Sequence, residues 1–291
     1  MDIPGLRVRG EGPQDRFSQG LRDINRIINV FSERGKIMSI AMTHYIGELI
    51  GTCLLVLLGD GVCCNVSLNK SGMKGSGVVH ILIGWGMAVM VPAFAVSGMC
   101  ISSFNPAVTI GAAMRGGLDW ALVPGYIIAE MIGGFLGAAI LIVLYGDHIA
   151  ATDDDDTIRG CFATGPSIRN TGLNFLSEFV ATFVLVFTLA NIPAQTAAEA
   201  GAATASLNLT TNSTWILVYG VIVACGASFG GLTGYAMNAA RDASPRLAYQ
   251  LLAPNKGKKN PDWAYGWIPV VAPICGAIVA SGLWNLLQHL A

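Results

Sequence analysis

Six stretches of this 291-residue chain, roughly 43–66, 76–98, 119–145, 172–193, 214–230 and 264–290, carry almost no charge. Each is about as long as the 20 or so apolar residues a helix needs to cross hydrocarbon. Hydrophobic residues make up 53% of the chain and charged residues 12%, about half the charged share of a soluble domain. That composition excludes disorder and leaves a polytopic membrane protein. Seventeen basic and 18 acidic residues give a net charge of −1, so no field draws a polyanion and no nucleic-acid partner is expected. The seven cysteines are odd in number and lie mostly in apolar runs. With no CxxC or Cys/His cluster they read as buried hydrophobes, not as a disulfide framework or a metal site.

The first 42 residues hold seven Lys/Arg, five Asp/Glu and no long apolar core, so no cleavable signal peptide is expected. Residues 21–31 place apolar groups at helical spacing and read as an interfacial amphipathic helix. Residues 1–42 are thus expected to form a tail and 43–291 a membrane domain. Arg22, Arg26, Arg34 and Lys36 outnumber Lys70 and Lys74 on the two flanks of the first span, which favours a cytoplasmic N-terminus. Lys256, Lys258 and Lys259 weigh against it.

Two shorter segments, Pro106–Arg115 and Ala239–Gln250, suit a helix but cannot span. Each follows an Asn, a favoured N-cap, and the first begins with Pro, a favoured first residue. Glu48-Leu-Ile-Gly-Thr52 recurs as Glu178-Phe-Val-Ala-Thr182, and the intervals Glu48 to Asn105 and Glu178 to Asn238 are 57 and 60 residues. Three spans per half is an odd number, so the halves enter the membrane from opposite sides. The expected fold is all-α, with six transmembrane helices and two half-helices in an inverted repeat of about 43–145 and 172–290. Gly47/Gly51 and Gly133/Gly137 are candidate close-contact positions between helices.

Asn105-Pro106-Ala107-Val108-Thr109 and Tyr235-Ala236-Met237-Asn238-Ala239-Ala240-Arg241-Asp242, set in these repeats, resemble the paired signatures of the aquaporin family over roughly residues 43–290. The resemblance implies a central constriction at Asn105, Pro106, Ala107, Asn238, Ala239 and Ala240. If both half-helices start at the midplane, their positive dipole ends meet there. Asn105 and Asn238 then offer amide donors to a neutral solute, while a proton or cation meets a barrier. Ala239 stands where the family usually has Pro, which removes rigidity at that point but not the helix, so the gap there is expected to be looser.

By the same resemblance Arg241 forms the selectivity filter with Trp85, Gly226 and Tyr235. An Arg in such a setting is a functional hypothesis by default. Trp and Tyr would give an apolar wedge for a carbon backbone, Arg would donate to hydroxyls, and Gly would leave the width. Water-selective members usually carry His at the Gly226 position. Asp242 after Arg241 also matches the glycerol-conducting branch. Glu48, Glu178 and Asp242 are implied to support the half-helices, the two glutamates by accepting hydrogen bonds from the non-helical backbone leading to them. Ser103 replaces a typical His. Asp60, about 18 Å along a helix from Glu48, reads as a solvated interfacial charge more than as a charge at the pore mouth.

The expected protein is a multi-pass channel, in the plasma membrane, that passes water, glycerol and small polyols down their gradients. No catalysis, cofactor or metal is expected. By resemblance it is a homotetramer in the lipid bilayer. A water-selective channel is the nearest alternative. A proton-coupled transporter, from another class, would make Glu48, Glu130 or Glu178 essential titrating groups.

Overall fold

The computed structural model describes the backbone of residues 13–191, 209–254 and 259–290, and within these the side chains of 39–191, 215–254 and 259–290. The first half contains α1 (Pro13–Ser67), α2 (Val78–Ala95), α3 (Pro106–Met114), α4 (Val123–Leu144) and the short α5 (Gly146–Ala150) and α6 (Asp155–Phe162). The second contains α7 (Thr171–Leu189), α8 (Leu209–Thr233), α9 (Ala239–Leu252), the single turn α10 (Trp263–Gly266) and α11 (Ile268–Leu290). Among the described residues six segments have the length and apolarity of a membrane span: Ser39–Ser67, Val78–Ala95, Val123–Leu144, Thr171–Leu189, Trp215–Thr233 and Trp263–Leu290.

These spans match the six expected stretches to within several residues, and α3 and α9 fall on the two expected half-helices. The chain divides into two compact units, Met1–Thr43 and His44–Ala291. In the first, residues 21–31 are helical as part of α1, while their side chains lie outside the described residues. The same holds for the side chains of Arg22, Arg26, Arg34 and Lys36, and for Lys256 and Lys258 altogether.

Polarity in the second unit is distributed as lipid requires. Ile128, Val143, Leu144 and Leu173 are exposed, whereas Glu48, Asp60, Glu130, Glu178, Asp242 and Arg246 are fully buried. A bilayer removes the usual penalty on exposed apolar groups and raises the cost of lipid-facing charge, so charges that remain must point inward and find partners. Helix ends are satisfied locally. Asn170 caps α7 by accepting from the Leu173 amide at 3.2 Å, and Asp154 caps α6 through the Asp156 and Thr157 amides. Bonds from the Thr157 side chain and these amides hold the exposed Asp154 carboxyl below its ordinary range.

The halves interlock. The half-helix α3 packs mainly on α11, the last span of the second half, and α9 packs mainly on α4, the last span of the first. Close approach is set by glycines at matching places. A Cβ at Gly133 would stand 2.3 Å from the Leu49 carbonyl oxygen of α1, and one at Gly276 would stand 2.4 Å from the Phe179 carbonyl oxygen of α7. Leu49 and Phe179 each follow a repeat glutamate, so α4 meets α1 as α11 meets α7. Gly133 and Gly137 therefore act as expected, against backbone. Gly47 and Gly51 do not: they make room for the side chains of Cys100 and Phe104, in the loop before α3.

Replacing Gly133 or Gly276 by Leu is expected to cost at least the 1–3 kcal/mol or so of ordinary overpacking, because the obstructing atoms are backbone. Unfolding midpoints in detergent should drop for both, and Gly282→Leu, where nothing lies within 4 Å of the new Cβ, should leave the midpoint nearly unchanged. Equal losses at all three positions would contradict this packing scheme.

Candidate functional site

Two non-helical loops deliver the chain to α3 and α9, and they share one unusual backbone pattern. Ser102 and Phe104 have φ of 58° and 49°, and Tyr235 and Met237 have φ of 38° and 50°. These are the third and first residues before Asn105 and Asn238. Left-handed backbone at non-glycine residues costs about 1–3 kcal/mol each and persists only where the surroundings fix it. The two buried glutamates do so. The Ser103 and Phe104 amides donate to Glu48 Oε1 and Oε2 at 3.0 and 2.7 Å. The Ala236 and Met237 amides donate to Glu178 Oε1 and Oε2 at 3.0 and 2.8 Å, and the Thr233 hydroxyl adds a bond to Oε1 at 2.7 Å.

The loops end at Asn105 and Asn238, whose backbones nearly superpose in conformation: φ −158°, ψ 115° and φ −160°, ψ 116°. Each side chain does two jobs. Asn105 Oδ1 accepts from the Ala107 amide at 3.0 Å, and Asn238 Oδ1 accepts from the Ala240 and Arg241 amides at 2.9 and 3.2 Å. Across the repeat boundary, Asn105 Nδ2 donates to the Met237 carbonyl and Asn238 Nδ2 to the Phe104 carbonyl, both at 2.7 Å. Each amide nitrogen has a second hydrogen that these bonds leave free. Pro106 and Ala239 occupy the first helical positions, with Ala107 and Ala240 next, all four buried and none of them lining the cavity that the asparagines share. With Ala239 in place of Pro, Asn238 keeps the dihedrals of Asn105 and caps two amides where Asn105 caps one.

Both asparagines line a cavity of about 530 Å³, together with Trp85, Tyr235, Arg241 and Ser103. Ser97, Ser102, Arg115 and Asn191 add further polar groups to the lining, and much of the remaining wall is apolar, as at Val89, Leu185 and Ile222. The Arg241 guanidinium lies 4.0 Å from the centre of the Trp85 ring. Gly226 departs from expectation. It does not line the cavity; a Cβ there would stand 2.6 Å from Leu82 Cδ2 and 2.7 Å from Tyr235 Cζ. The volume a side chain would fill is already taken, so Gly226 acts by letting the Tyr235 ring sit back in the wall.

One further expectation, that for Asp60, needs correction, while Asp242 bears on its half-helix α9 by a route other than the loop before it. Its Oδ2 accepts from the Thr164 amide and hydroxyl, both at 2.7 Å, and its Oδ1 pairs with Arg246 at 2.8 Å. Arg246 in turn donates to the carbonyls of Thr164 and Pro261 at 2.7 and 2.6 Å, so this buried pair fastens two connecting loops to α9. Asp60 is not solvated: it is fully buried, with Oδ1 3.7 Å from Arg241 Nη1. Sequence reasoning passed over Arg246, although an Asp and an Arg at i,i+4 in a segment sunk among apolar spans is a readable sign of pairing. It also weighed Glu130 only as a titrating group. Glu130 accepts from the Thr109 hydroxyl at 2.5 Å, joining α4 to α3.

The family model described as Major intrinsic protein matches residues 36–284. A probable glycerol uptake facilitator protein of Thermotoga maritima is 42% identical over 246 residues, covering 84% of this chain and all of that protein. The glycerol uptake facilitator protein of Bacillus subtilis is 43% identical over 244 residues, 84% of each chain. Among solved structures, the aquaglyceroporin from Plasmodium falciparum aligns with a TM-score of 0.69 at 26% identity, covering 86% of this chain and all of that one.

The glutamate contacts predict a graded loss. Glu178→Ala leaves two buried amides and a hydroxyl without an acceptor, at about 1–3 kcal/mol for each group, whereas Glu178→Gln keeps one oxygen in place. Unfolding midpoints in detergent should therefore fall in the order wild type, Gln, Ala. A Gln variant as damaged as the Ala variant would show that the carboxylate serves something other than these bonds.

Proposed function

The chain belongs to the major intrinsic protein family, and on that premise we propose that it is a passive channel for water, glycerol and related small polyols. It is a facilitator and not an enzyme. The observation that carries the reading is the two-sided cavity wall. Donors from Asn105, Asn238 and Arg241 lie along it, and apolar surface from Trp85, Tyr235 and the aliphatic wall completes it. A polyol has the same two-sided character, with hydroxyls on a short carbon chain. It can exchange water for protein donors while its CH groups lie against the rings.

Charge exclusion follows from the same geometry. The N-termini of α3 and α9 are held together by the crossed asparagine bonds, so their partial positive charges add at one place. A cation or proton arriving there loses hydration and gains repulsion. Glu48, Glu130 and Glu178 are committed to bonds with Ser103, Phe104, Thr109, Thr233, Ala236 and Met237, and none lines the cavity. That arrangement favours a channel over a proton-coupled transporter. The reading extends to a homotetramer in the plasma membrane with the N-terminus cytoplasmic, supported by family membership and the basic residues before the first span.

The filter is assigned to Trp85, Tyr235 and Arg241, with Gly226 behind Tyr235, and the constriction to the two Asn-led helix starts. Purified protein in liposomes should speed shrinkage under a sucrose shock and re-swelling under a glycerol gradient, both followed by light scattering. Shrinkage without re-swelling would identify a water-selective channel. Gly226→His should push the Tyr235 ring toward the cavity and lower glycerol permeability by about tenfold or more, with water much less affected. If glycerol flux survives that substitution, the filter is misassigned.

A further inference from the structure

One face of α1 is shaped to the Trp85–Arg241 stack. Gly59, Asp60 and Cys63 lie on neighbouring positions of that helix. A Cβ at Gly59 would stand 2.3 Å from the Trp85 ring, so the indole rests directly on α1 backbone there. The Trp85 indole N–H donates to Cys63 Sγ at 3.4 Å. Asp60 then faces Arg241, with 3.7 Å between Oδ1 and Nη1.

The carboxylate has no other explanation. Among the described residues neither Asp60 oxygen has a hydrogen-bond partner, and the residue is fully buried. Asp242, the carboxylate next to Arg241 in sequence, is occupied by Arg246 and Thr164. An isolated buried carboxylate is severely unfavourable unless a counter-charge is held beside it. The Arg241 guanidinium, with five donors and no acceptor, makes no hydrogen bond to protein among the described residues. It lies on the Trp85 face at 4.0 Å and beside Asp60. Two forces therefore set its place: the ring quadrupole beneath it and one carboxylate beside it.

We propose that Asp60 is a positioning residue for solute selection: it holds the Arg241 guanidinium against Trp85 and cancels its charge, leaving neutral-paired donors for a polyol. Without Asp60 the wall at this point carries a net cation that leaves the ring and holds water more strongly. The donor set and the apolar wedge then no longer match a carbon chain bearing hydroxyls. This inference rests on the glycerol-channel reading for its solute, but not for the ion pair.

The test is a double-substitution cycle of wild type, Asp60→Asn, Arg241→Val and the two combined, read by two measurements. Unfolding midpoints in detergent report the pair itself. Asp60→Asn should lower the midpoint in the wild-type background, yet raise it in the Arg241→Val background, where it removes an unpaired buried charge. The glycerol-to-water permeability ratio in liposomes reports selection. Asp60→Asn should lower it about five- to tenfold, inside the span of interaction energies for residues in contact, and should change it little once Arg241 is Val. Additive losses of midpoint, a combined variant that fails to fold, or an unchanged ratio in Asp60→Asn would each overturn the proposal. Wild-type liposomes without glycerol flux would overturn the channel reading, and the midpoint cycle would still decide whether Asp60 and Arg241 act as a pair.

Discussion

Non-helical backbone inside a bilayer has nowhere to put its N–H groups, and the protein is organised around solving that problem twice. Glu48 and Glu178 each take the two amides before a half-helix, and the asparagines that follow take the next ones. Once those bonds exist, four left-handed non-glycine residues become tolerable, and carbonyls are freed to face elsewhere. Two of them, on Phe104 and Met237, accept the crossed bonds that tie the halves together. The placing of both asparagines on the cavity wall is therefore a consequence of how the loops are satisfied.

Interior charge follows one rule in three settings. Glu48 and Glu178 are satisfied by backbone. Asp242 and Arg246 satisfy each other and two loops, with every strong bond within 2.6–2.9 Å. Asp60 and Arg241 are the exception, paired at 3.7 Å without a hydrogen bond. A buried pair saturated by neighbours is fastening, while a pair left unsaturated beside a cavity keeps donors available for something that passes. The contrast lies five residues apart on α9, between Arg246, which holds two loops to the helix, and Arg241, the residue proposed to meet solute.

Much of this was legible in the sequence because lipid leaves so few options. Uninterrupted apolar stretches marked the six spans, and Asn-Pro at Asn105 with its echo at Asn238 marked the half-helices. Repetition of Glu48-x-x-x-Thr52 at Glu178-x-x-x-Thr182 marked the glutamate supports. What escaped depended on packing across elements. Gly226 was read as open width, but the neighbouring Tyr235 ring occupies that volume. Asp60 was read as solvated because its spacing along α1 gives depth and not direction, and the facing Arg241 is 181 residues away in sequence. With Ala239 in place of Pro, the cap on two amides by Asn238 holds the dihedrals found at Asn105, a detail that the residue types alone do not give.

The most direct test of this account is an experimental structure of the protein in glycerol at a resolution that shows the solute. The account predicts a polyol in the cavity with hydroxyls on the Arg241 guanidinium and on the free amide hydrogens of Asn105 and Asn238, carbon chain toward Trp85 and Tyr235. It also requires both asparagines to keep their bonds to the Met237 and Phe104 carbonyls. Glycerol bound away from these donors, or asparagine side chains turned off the opposite carbonyls, would contradict it.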